Sequence, residues 1–186
     1  MNSTLHRLKH EISFCLDGLD TVQTQLQPPS RPHKWNIQQI MEHLLLSYSG
    51  TELALNARLA KQAPTRAKPS IPQHLGQYTL IRLGYFPHGR KAPAMVTPGP
   101  TAHPLSGEEL IAAATEHLDH LDLLCAEAEK LFGTKCKFAS HMSLGPLDVN
   151  QWRKFQLIHG EHHLKQILAI RKAHNLSPTE QPNPQA

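Results

Sequence analysis

His159 and His163 stand four residues apart in the run Trp152-Arg153-Lys154-Phe155-Gln156-Leu157-Ile158-His159-Gly160-Glu161-His162-His163-Leu164-Lys165-Gln166. On an α-helix, residues i and i+4 share one face with their Cβ atoms about 6 Å apart. Two imidazoles at that spacing can bind one ion at roughly 2.1 Å each. The chemistry is therefore metal coordination, to be completed by a third ligand from elsewhere in the fold. The glutamate of His159-Gly160-Glu161-His162-His163 is displaced from its place in HExxH, which argues against a metalloprotease. His6 and His10 form a second i,i+4 pair. They fall at the first turns of a helix beside Arg7 and Lys9, where solvent is the expected environment.

The pair needs a scaffold, and the periodicity predicts one of helices. Residues 4–26 place Leu5, Leu8, Ile12, Cys15 or Leu16, Leu19, Val22 and Leu26 on one stripe, ahead of Pro28-Pro29. A second helix opens on Asn36, with Gln39 three residues on as a capping-box partner, and runs to about Lys61. His43 lies at the edge of its inner stripe and by itself reads as a half-buried histidine paired to a neighbour. From Gln62 to His103 prolines and glycines dominate, and a connection this long is functional or a crossover. Tyr78 to Phe86 is expected to form a short helix there in preference to an extended piece packing on the body, and His74, His88 or His103 could overhang a site. A third helix runs from Ser106 to Gly133, with His117 able to face the core and His120 solvated. After a loop, Asp148 caps a fourth helix that ends near His174 and carries Trp152, Phe155, His159 and His163 on its inner face. No stretch shows convincing strand alternation.

These elements predict an all-α four-helix bundle in a single domain, residues 1–176. The Pro- and Gln-rich residues 177–186 are expected to be disordered. The first-second and third-fourth connections are short enough for antiparallel neighbours, and the long second-third connection allows those two helices to run parallel. His43 lies roughly 12 Å below the start of its helix at 1.5 Å per residue, and His163 roughly 17 Å from the end of the last one. These levels are compatible if the two helices are antiparallel. A parallel pair would also bring His43 and His159 to similar depths, so the three histidines can meet but depth alone does not fix the topology.

Composition narrows the function. The chain has 186 residues, net charge +4, 39% hydrophobic residues and no apolar run near the roughly 20 residues a membrane span needs. Its basic residues are scattered and aromatics are sparse, so neither nucleic acid nor membrane is expected as a partner. Three widely spaced cysteines (Cys15, Cys125, Cys136), with no CxxC and no apolar leader, suggest a reduced, cytoplasmic setting.

The segments Trp35-Asn36-Ile37-Gln38-Gln39-Ile40-Met41-Glu42-His43-Leu44 and His159-Gly160-Glu161-His162-His163-Leu164-Lys165-Gln166 together resemble the DinB-like metalloprotein superfamily. His141-Met142-Ser143-Leu144-Gly145-Pro146-Leu147 is similar to a subfamily of uncharacterised function, with Met142 where that subfamily usually has proline. The resemblance implies a bundle whose second and third helices run parallel, and a divalent metal held by His43, His159 and His163. Glu42, His117, His162 and Gln166 are then candidates to bond the outer ring nitrogens of the ligands. Zn2+ or Ni2+ suits three imidazoles, with Fe2+ and Mn2+ open. Superfamily members that transfer low-molecular-weight thiols to electrophiles suggest one reaction. A small-molecule hydrolase, or a non-catalytic bundle whose metal stabilises the fold or a homodimer, are the alternatives, and no catalytic residue is assigned.

Overall fold

The computed structural model describes residues 1–86 and 91–176 in five α-helices and one hairpin. Helices α1 (Ser3–Leu16), α2 (Ile37–Ala60), α4 (Gly107–Phe132) and α5 (Val149–Ala173) form the bundle, and α3 (Ile71–Gln77) lies in the crossover. The architecture is all-α, as the periodicity predicts. His88 and the expected disordered tail fall outside the described residues.

Local chemistry starts the helices. Asn36 with Gln39, Ser106 with Glu109 and Asp148 with Gln151 are complete capping boxes, each side chain bonded to the other residue's backbone N–H. The first helix is shorter than expected, ending at Leu16 rather than Leu26. Gly18 takes φ 71°, a left-handed turn that the helix cannot pass through. Arg171 of α5 donates to the freed carbonyls of Cys15 (2.8 Å) and Asp17 (2.9 Å). Leu19 remains buried and Leu26 partly so, which is why the apolar spacing outlasts the helix.

Side-chain pairs set the helix directions. Arg7 meets Glu161 and Arg171 meets Cys15, so α1 and α5 run parallel. Gln38 bonds the backbone of His103 and Leu105 just ahead of α4, and Glu52 bonds His117, so α2 and α4 also run parallel. Thr51 meets Gln156 and His43 meets His159, which makes α2 and α5 antiparallel. The crossover thus does what its length allows. Tyr48, Leu44, Leu8, Ile12, Leu118 and Ile167 are essentially closed to solvent in the core, each burial contributing about 1.5–3 kcal/mol. Gly160, between two site histidines in the chain, admits Leu8 so closely that a Cβ would collide with its Cδ1.

Two local expectations are corrected. Residues 139–147, expected as loop, contain an antiparallel hairpin of β1 (Ala139–His141) and β2 (Gly145–Leu147), whose three-residue strands are too short to show alternation. The short crossover helix begins at Ile71, not Tyr78. Ser70 and Gln73 form its capping box, and Tyr78–Arg82 continues it as a wider π turn. Gln77 then donates to the carbonyls of Leu144 (2.7 Å) and Pro146 (3.0 Å), tying crossover to hairpin.

Candidate metal centre

The antiparallel α2–α5 contact brings His43, His159 and His163 together, with one ligand atom from each inside 4.8 Å of the others. All three are buried, at 5%, 5% and 7% exposure. Each outer nitrogen has a neighbour. His43 Nδ1 lies 2.6 Å from the carbonyl of Val96, His163 Nδ1 lies 3.1 Å from Gln166 Oε1, and His159 Nδ1 lies 3.5 Å from Ser47 Oγ. A carbonyl only accepts, so His43 carries its proton on Nδ1 and its Nε2 is a bare lone pair. That lone pair faces His159 Nε2 at 3.1 Å.

Burial, and behind it the mutual repulsion of the rings, pushes the pKa values down. His163 falls to about 3, His159 lies well below its ordinary value, and His43 is lowered despite its bond to Val96. All three are therefore neutral near pH 7, the form that binds metal. Aromatic rings hold them in place: Phe86 and Phe155 both stack on His159 with centroids 5.4 Å away, and Trp35 leans on His43 at 5.1 Å. Neutral nitrogen donors, convergent spacing and oriented outer nitrogens fit a divalent ion.

The candidates for the outer nitrogens divide. Gln166 sits beside His163 Nδ1, and its amide nitrogen lies 3.2 Å from His162 Nε2. His162 itself stacks on Phe86 at 4.5 Å. Glu42 accepts from Gln38 at 2.9 Å instead of from a ligand. His117 bonds Glu52 at 2.8 Å on the α2–α4 side. It lies on α4, whereas the ligands come from α2 and α5. His103 contributes only its carbonyl, to Gln38. His74 lines a separate cavity of about 570 Å³ with Gln77, Arg82, Arg153 and Lys154, and none of the three convergent histidines borders it. Sequence reasoning missed Ser47, Val96, Phe86 and Trp35. Ser47 had a signal, being one turn after His43. Val96 had none, since it offers a backbone carbonyl that any residue carries.

Three neutral imidazoles of two antiparallel helices, turned onto one point, form a group that could hold a metal ion. More particularly, a family model of the DinB superfamily matches residues 4–167, and the chain belongs to that superfamily. No curated protein and no solved structure gives a significant match.

Proposed function

We propose that His43, His159 and His163 hold one divalent ion, zinc or nickel before iron or manganese, at an open site that transfers a low-molecular-weight thiol to a small electrophile. The observation that carries the metal reading is the arrangement of the ring nitrogens. Every Nδ1 has a neighbour outside the cluster, and the Nε2 lone pair of His43, fixed by the Val96 carbonyl, faces inward toward His159. Three protein donors leave at least one coordination position for an incoming molecule. A bound ion would supply Lewis acidity there, favouring the thiolate form of a thiol.

Two features of the chain support thiol transfer over hydrolysis. Hydrolysis calls for a general base, and the carboxylates nearest the ligands in sequence are engaged elsewhere, Glu161 by Arg7 at 2.5 Å and Glu42 by Gln38. Burial pushes the Cys15 and Cys125 thiols up to about 12, which makes both unsuited to the attack. The proposed nucleophile comes from solution, with its proton released to water. A cytoplasmic setting, where such thiols are kept reduced, is part of the same proposal.

Elemental analysis of purified protein should find one metal per chain, and the loaded protein should consume an electrophile only when a thiol is supplied. An unchanged rate in His163→Ala would overturn the transferase. Turnover on no panel, with a melting temperature that falls on chelation, would leave the metal a structural role.

A further inference from the structure

His141 is a desolvated imidazole that the proposed transfer does not use. It ends β1, and its Nδ1 accepts from the backbone N–H groups of Ser143 (3.1 Å) and Leu144 (3.2 Å). Two donors on one ring nitrogen fix the tautomer, placing the proton on Nε2. Among the described residues no acceptor meets that Nε2–H; both hydrogen bonds of the ring are at Nδ1. The ring leans on Phe155 at 4.4 Å and on Trp152 at 5.6 Å, and Phe155 stacks on His159. Residues 152, 155 and 159 share one face of α5, so the hairpin lies against the ligand-bearing face one turn before His159. His141 is near enough to His159 that a charge on one ring would disfavour a charge on the other. Desolvation lowers His141 itself to about 4, so Nε2–H is a permanent neutral donor near pH 7.

The charge balance points the same way. Three neutral imidazoles leave the full charge of a divalent ion uncompensated in a dry site, which favours an anion as the incoming ligand. The chain between Glu52 and Glu108 supplies Phe86 and the Val96 carbonyl to the cluster. It contains seven Lys and Arg residues (58, 61, 66, 68, 82, 90 and 91) and no Asp or Glu. The stretch that supplies these two groups is thus net positive in sequence.

We propose that a further open position on the metal, beside the one a thiol would take, admits a small carboxylate oriented by a hydrogen bond from His141 Nε2–H to a carboxylate oxygen. This rests on the three-histidine metal site and is independent of the thiol chemistry. The structure assigns His141 to ligand recognition, with no part in holding the metal.

Protein loaded with Co2+ provides the test, through its visible spectrum during titration with acetate and with uncharged acetamide. His141→Asn is the informative variant, because a short amide oxygen can still accept from Ser143 and Leu144 but cannot donate across the site. Both proteins should take up one cobalt per chain with the same starting spectrum. Acetate should bind the wild type at least tenfold more tightly than acetamide does, and His141→Asn should lose about tenfold or more of the acetate affinity, as for a hydrogen bond to a charged group. Equal acetate affinity in the two proteins, acetamide binding as well as acetate, or no acetate response in the wild type would each overturn the proposal. A wild type that takes up no cobalt would instead overturn the metal site beneath it.

Discussion

Helix α2 carries one member of each of two histidine clusters, and they behave in opposite ways. At His43, three imidazoles meet in the interior with a carbonyl, an amide oxygen and a hydroxyl at their outer nitrogens. Further along the same helix, Glu52 lies between His117 (Nδ1 to Oε1, 2.8 Å) and His120 (Nδ1 to Oε2, 3.4 Å) of α4. Those two imidazole side chains are 31% and 49% exposed. A carboxylate in reach takes both Nδ1 atoms and ends the cluster's chemistry as a solvent-screened contact. Where only neutral acceptors are offered and water is excluded, the rings stay neutral and their inner lone pairs remain available. Histidine number does not separate the two; burial and the charge of the partner do.

The largest expected difference is in metal affinity. His159→Ala or His163→Ala should cost more than the roughly 10–100-fold typical of losing an outer hydrogen-bond partner, whereas His117→Ala should leave metal content at the wild-type level. Equilibrium dialysis against zinc reads both, and comparable losses would erase the distinction between the clusters. Metal loading comes next. At a free concentration 100 times the dissociation constant it should add about 2.7 kcal/mol, roughly 5–10 °C in melting temperature for a chain of this size, and Glu52→Gln should keep that shift.

Acid should then act on the buried histidines of the metal-free protein. His141 titrates near 4 in the folded chain against 6.5 unfolded, and His163 near 3. Between those values the unfolded chain binds more protons, so this stability is complete above about pH 6.5 and is lost as pH falls toward 4. His141 alone accounts for on the order of 3 kcal/mol. Denaturant midpoints from pH 7 to 4 should fall accordingly, and His141→Asn should flatten the profile. Gln166→Ala, which leaves His163 Nδ1 without its neighbour, should weaken metal binding by about tenfold. Smallest of all, Glu52→Gln should change unfolding free energy by less than about 1 kcal/mol, since its two histidine partners are 31% and 49% exposed.

Much of this was legible before the fold. Leu8 and Ile12, Leu44 and Tyr48, Leu118 and Leu121 keep helical spacing, and Asn36 with Gln39 announces the start of α2 through a strictly local bond. The i,i+4 pair His159–His163 is local in the same sense. The end of α1 was obscured because Leu19 and Leu26 continue the stripe beyond the glycine turn, packing on the core without being helical. The hairpin at 139–147 escaped because three residues per strand cannot establish a period.

The sequence by itself therefore determined where three of the four bundle helices start, which faces they bury and which two histidines share a turn, since each depends on neighbours within about four residues. It could nominate His43, but not its level against α5. Only the tertiary structure decided that His43 joins His159 while His117 goes to Glu52, because those pairings depend on helix register across 116 and 65 residues of chain. It also decided that the crossover returns the Val96 carbonyl to His43 and Phe86 to His159. A backbone acceptor and a desolvated ring contact leave no mark in residue type, and they exist only once the helices have packed.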